Sequence, residues 1–85
     1  MEYVVFRNPR ILYREEEYGG LISTPELFII TKEEYEFLKK LDEKKFILEK
    51  DLTEKEKKMT KKFSVKNIVI RTEYNKIKDK IRKVI

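Results

Sequence analysis

Both glycines of the chain stand side by side, Gly19 and Gly20, in the stretch R-E-E-E-Y-G-G-L-I-S from Arg14 to Ser23. A glycine inside a strand pattern marks a bulge or a sharp bend, because it tolerates positive φ and has no side chain to clash. The residues around the pair are strand formers. Ile11-Leu12-Tyr13-Arg14 is β-branched and aromatic and continues toward Glu16, while Leu21-Ile22-Ser23 and Leu27-Phe28-Ile29-Ile30 lie on the far side, split by Thr24-Pro25-Glu26. Such short connections predict an antiparallel meander of three strands, with the glycines folding the first back onto the second. An earlier run, Tyr3-Val4-Val5-Phe6, is also β-prone and stops at Asn8-Pro9, where proline drives the preceding residue out of helix.

A sheet this small needs a covering layer, and the next residues supply one. Thr31-Lys32-Glu33-Glu34 is a capping box, in which the threonine hydroxyl accepts from the Glu34 amide and the glutamate reaches back. The helix it opens should run to about Asp42, with Tyr35, Phe37, Leu38 and Leu41 available to pack on the sheet. Phe46-Ile47-Leu48 reads as a short second helix. Thr53-Glu54-Lys55-Glu56 repeats the capping box and opens a third helix, with Met59 and Phe63 turned inward behind Leu52. Ile68-Val69-Ile70 is extended. From Tyr74, Ile77, Ile81 and Val84 recur at steps of three and four, the stripe of an amphipathic basic helix. The expected fold is therefore α+β: a three-stranded antiparallel sheet, three helices and a C-terminal basic helix.

Composition removes several kinds of chemistry. Among 85 residues there is no histidine and no cysteine, so the usual general base, the thiol nucleophile and most transition-metal ligands are missing. Adjacent residues of Glu15-Glu16-Glu17 on a strand point to opposite faces and do not converge on a substrate. No phosphate-cradling glycine loop is present. The expectation is a binding module rather than an enzyme, with no catalytic residue, no metal and no cofactor. Absence of cysteine, of a membrane-length apolar run and of a basic start to Met-Glu-Tyr-Val-Val predicts a cytoplasmic protein without a membrane partner. Lysine and glutamate enrichment fits a thermophile, and an AT-rich genome would give similar lysine and isoleucine counts.

Charge is unevenly spread. Residues 1–52 hold nine basic and twelve acidic groups, whereas residues 53–85 hold twelve basic and four acidic ones. A basic C-terminal third suits nucleic acid, an acidic peptide or an acidic enzyme surface, or simply a solvated face.

The order of elements, with Arg14, Glu16, Tyr18, Gly19, Gly20, Leu21 and Ile22, then Leu27-Phe28-Ile29-Ile30-Thr31, and Tyr35 and Leu38 beyond, resembles the PqqD-like peptide chaperones. These are the recognition elements (RREs) of ribosomally made, modified peptides (RiPPs). Lys62-Phe63-Ser64-Val65-Lys66-Asn67-Ile68-Val69 is similar to the family's last helix and its exit, so the resemblance spans roughly Ile11 to Ile70. The segment between Leu41 and Phe63 is shorter than in the family, and Asp42-Glu43 stands where an Asp-Gly is customary. The resemblance implies a winged-helix-like domain over residues 1–71, with 72–85 a helical tail outside it. It also implies that a precursor's leader peptide adds as a strand to Leu27, Phe28, Ile29, Ile30 and Thr31, against the helix from Glu54 to Lys62. The partner would be a radical S-adenosylmethionine (radical SAM) enzyme or another peptide-modifying enzyme. Lys55, Lys58, Met59 and Lys62 are the candidate wall, the lysines spaced to meet acidic leader side chains.

Two rival readings stand beside this one. A winged-helix DNA-binding protein would use the same topology, although Thr53–Phe63 carries no Arg, Asn or Gln for base reading and its lysines are diluted by Glu54 and Glu56. A small structural subunit would dock through the Tyr74–Val84 stripe.

Overall fold

The computed structural model describes residues 2–24 and 26–76 and is α+β, with two antiparallel three-stranded sheets instead of the single sheet expected. Six strands run in chain order: β1 (Tyr3–Arg7), β2 (Leu12–Glu16), β3 (Gly19–Ser23), β4 (Leu27–Ile30), β5 (Ile47–Leu48) and β6 (Val69–Glu73). Helix α1 (Lys32–Lys44) separates β4 from β5, and α2 (Glu54–Val65) separates β5 from β6. One sheet has the order β2-β3-β4 and is the meander predicted around the glycines. The other has the order β5-β1-β6 and joins the two ends of the described chain.

That second sheet corrects the reading of Phe46–Leu48 as a short helix. Lys45 takes φ 71° and closes α1, its N–H donating to the Asp42 carbonyl. Two residues later Ile47 is buried opposite Val5, with Leu48 opposite Val4. An apolar run of three residues is too short to form an amphipathic face, whereas β1 has a free edge to pair. What remains of the expected second helix is one 3-10 turn, Glu49–Asp51. On the other side of β1 the register runs from Tyr3↔Glu73 to Arg7↔Val69, so the expected extended segment is longer than Ile68–Ile70. β6 thus crosses the 71–72 boundary drawn from the resemblance. Residues 74–76 are helical, Tyr74 donates its amide to the Glu2 carbonyl, and its ring lies 5.8 Å from that of Phe46. The rest of the expected C-terminal helix, residues 77–85, lies outside the described residues.

A single core joins both sheets to both helices. Val5, Ile22, Ile30, Leu38, Leu41, Phe63 and Val69 are all buried in it. On β4, Ile30 is the core residue, while Phe28 is half-buried and packs against the rim. A polar clamp reinforces the junction of β1, β2 and α1. Arg7 Nε lies 2.6 Å from Asp42 Oδ1, and the Tyr13 hydroxyl donates to Asp42 Oδ2 at 2.5 Å. Burial, followed by this bond to a carboxylate and its charge, raises the Tyr13 pKa far above its ordinary value. The phenol stays protonated and keeps donating.

Of the two glycines, Gly19 has the conformation inferred for the pair, while Gly20 is an ordinary residue of β3. Residues 17 and 18 form the β2–β3 turn, and Gly19 directly after it has φ +139°. Its α-carbon also lies against the backbone where β4 passes into α1.

Candidate functional site

The order β2-β3-β4 gives that sheet two edges among the described residues, and they differ in kind. β2 carries Arg14, Glu15 and Glu16, with Arg14 Nε 2.5 Å from Glu16 Oε1. Charge along an edge resists the addition of a foreign strand. β4 is Leu-Phe-Ile-Ile, without charge or proline. Of any two adjacent residues on an antiparallel edge, one directs its N–H and C=O to its partner strand and the other to the open side.

The two faces of β4 also differ. Pairings Leu21↔Ile29, Ser23↔Leu27 and Leu12↔Ser23 set Leu12, Leu21, Leu27 and Ile29 on one face of the sheet. Leu12, Leu27 and Ile29 are 73%, 69% and 74% exposed there, a solvent-facing apolar patch. The opposite face holds Ile30 in the core and Phe28 beside it, with the Lys66 ammonium 4.5 Å from the Phe28 ring centroid.

Helix α2 is held against α1 by a reciprocal arrangement. Both helices begin with a complete capping box, Thr31 with Glu34 and Thr53 with Glu56. Each capping glutamate is buried and bonded to a lysine nine residues after the N-cap of the other helix. Lys62 Nζ donates to Glu34 Oε2 at 2.8 Å, and Lys40 Nζ donates to Glu56 Oε2 at 2.8 Å. Burial works against both carboxylates, but the lysine bond and charge and the bonds from Thr31 or Thr53 outweigh it. Both pKa values are held below the ordinary 4.5. In acid the unfolded chain therefore binds more protons than the folded one, and this contribution, present above about pH 4.5, is lost as pH falls through the lower folded values. Chemical denaturation at stepped pH should show stability declining on that acid limb. The double substitution Glu34→Gln, Glu56→Gln should flatten it; an equally steep limb in the double variant would remove these two groups as its cause.

Those pairs determine which lysines remain available. Lys62 is bonded to Glu34, and Lys55 lies 3.6 Å from Glu33, so two of the three wall lysines face the start of α1 and are answered there. Lys58 is exposed and has no ion-pair partner among the described residues, and Met59 is half-buried against the core. Thr31 is engaged as the α1 N-cap.

Beyond Lys62 the surface opens into a groove of about 510 Å³. One wall is the end of α2, Val65, Lys66 and Asn67; the other is Phe28 with Thr24 and Glu26 from the β3–β4 connection. Asn8, Arg10 and Ile11 close it from the β1–β2 connection. Asn67, with φ 59°, ends α2, and its carbonyl accepts from Asn8 Nδ2 at 2.8 Å. Asn8 Oδ1 in turn accepts from the Arg10 amide at 3.0 Å, which fixes this end of the groove. The structure thus joins Phe28 to Lys66 and Val65, residues outside the expected wall. Lys66 was within reach of sequence reasoning, since it follows Lys62 by one helical step of four. Arg10, brought in from a distant loop, had no such signal.

Among the described residues no three carboxylates come together as a metal site, and no helix is long and apolar enough to cross a membrane. Comparison of the chain with protein-family models, curated proteins and solved structures finds no match.

Proposed function

We propose that this chain is a peptide-binding module of the PqqD-like, winged-helix-like kind, and not a catalyst. It takes the leader segment of a ribosomally made precursor as an added strand on β4 and presents it to a modifying enzyme, in the family pattern a radical S-adenosylmethionine enzyme. The observation that carries this reading is the asymmetry of the sheet edges: β2 is guarded by charge, whereas β4 is apolar, unguarded and opens beside the end of α2. Main-chain bonds from such an edge supply affinity for any extended peptide, and flanking pockets select among side chains.

Titration of isotope-labelled protein with candidate leader peptides tests it. Amide shifts should gather at residues 27–31 and along α2 and its exit, from 54 to 67, with slowed amide exchange in β4. Shifts confined to residues 74–85 would transfer the site to the tail and end the strand-addition reading.

One observation favours a second reading. Lys58 and Lys61 project from the exposed side of α2 without ion-pair partners among the described residues, a surface able to meet phosphates. Duplex DNA binding on that basis should show little sequence preference and fall steeply between roughly 50 and 200 mM salt. A defined duplex sequence retained at physiological salt would place DNA recognition ahead of peptide recognition.

A further inference from the structure

We infer that the strand taken up by β4 is an acidic one, its carboxylates on the face turned toward α2 and its apolar residues on the other, with Lys66 and Arg10 as the residues that select it. This inference rests on strand addition at β4 and specifies the ligand's chemistry. A strand added to an antiparallel edge continues the alternation of its neighbour. Residues of the incoming peptide level with Leu27 and Ile29 extend the exposed apolar patch, where leucine-like side chains gain from burial. Residues level with Phe28 point to the groove side and meet the Lys66 ammonium over the Phe28 ring.

The charges of the groove are unbalanced on that side. Arg10 and Lys66 line it and have no ion-pair partner among the described residues, against a single carboxylate, Glu26. Lys55 and Lys62 are satisfied by Glu33 and Glu34, so an incoming carboxylate would have to compete for them. Lys66 is held differently. Its ammonium rests on an aromatic face and retains its hydrogen-bonding capacity for an acceptor from outside. Val65, 83% exposed beside it, gives the peptide's methylenes a surface to cover.

Three synthetic octapeptides test the inference against the full chain: alternating leucine–glutamate, leucine–threonine and leucine–lysine. Binding is read by amide shifts at residues 27–31 and 65–67, and affinity by calorimetry at 50 and 500 mM salt. The glutamate peptide should bind about three- to tenfold more tightly than the threonine peptide, the lysine peptide most weakly, and the preference should shrink at high salt. Lys66→Glu should reverse the order of the charged peptides, and Lys66→Gln should shrink the difference, with Arg10 keeping part of it. Lys66 is exposed, so both variants should fold, and unchanged amide spectra elsewhere would verify it.

Equal binding of all three peptides at β4, or an order unchanged by Lys66→Glu, would overturn acid selection while leaving strand addition standing. Failure of every peptide to shift residues 27–31 would overturn strand addition and this inference with it. Glutamate-peptide shifts at Lys57, Lys58 and Lys61 alone would overturn it as well, as general attraction to a basic helix.

Discussion

Truncating Phe63 to alanine should remove about 3–5 kcal/mol of stability. The ring is 2% exposed and sits in the core shared by both sheets and both helices. No neighbour can collapse easily into the space, because the Phe63 carbonyl also fixes the exit of α2, accepting from the Lys66 and Ile68 amides. Leu38→Ala, at a fully buried position on α1, should cost a similar amount, about 2–5 kcal/mol. A chain of this size has on the order of 5–10 kcal/mol in total, so either loss should lower Tm by roughly 20 °C. Circular dichroism melts of the two variants would show it. If both melt with the native protein, α2 does not pack as described, and the groove at its end loses its wall.

Much of this fold was legible because its signals are local. A capping box needs only four residues, and Thr31 with Glu34 and Thr53 with Glu56 mark both helix starts correctly. The meander of β2, β3 and β4 follows from short connections and alternation. What escaped is non-local. β1 pairs with β6 across most of the chain, and nothing in the periodicity of Tyr3–Phe6 or Ile68–Ile70 names the other as partner. Without that pairing Phe46–Leu48 looks like a helix fragment, whereas with it Ile47 completes a sheet edge. The reciprocal bridges had a trace in the sequence: Lys40 and Lys62 stand at the same distance from Thr31 and Thr53, and each answers the other helix's glutamate.

The candidate site was legible on the strand side and less so on the helix side. An uncharged Leu-Phe-Ile-Ile beside the charged Arg-Glu-Glu of β2 is a contrast that sequence alone displays. Spacing also aligned Lys55, Lys58 and Lys62 on one face of α2, but spacing cannot reveal that Glu33 and Glu34 occupy two of them. Which cation remains available depends on where α1 begins relative to α2, a tertiary fact. The end of the helix, with Lys66 over Phe28, is where unanswered charge and open edge approach each other.

Gly19→Ala should cost about 2–4 kcal/mol, and Gly20→Ala distinctly less, although the two residues are adjacent and both buried. At Gly19 two penalties add. Its φ of +139° lies where L side chains rarely go, and a β-carbon there would stand 2.6 Å from both the Thr31 carbonyl carbon and the Lys32 nitrogen. Those are backbone atoms at the first turn of α1, held by the Thr31–Glu34 capping box, so they cannot retreat without undoing the helix start. At Gly20 the nearest atoms are Ile30 Cγ1 at 3.0 Å, Ile30 Cδ1 at 3.1 Å and Tyr35 Cβ at 3.2 Å, side-chain atoms that can shift by a few tenths of an ångström. Paired urea titrations would separate the two cases, and amide spectra of a still-folded Gly19→Ala protein should change at residues 30–34. The same displacement would move Thr31 and the C-terminal end of β4, so peptide binding should weaken in this variant beyond its fractional unfolding. Equal stability of the two alanine variants would mean that the paired glycines serve only the hairpin bend, with no close approach between β3 and the start of α1.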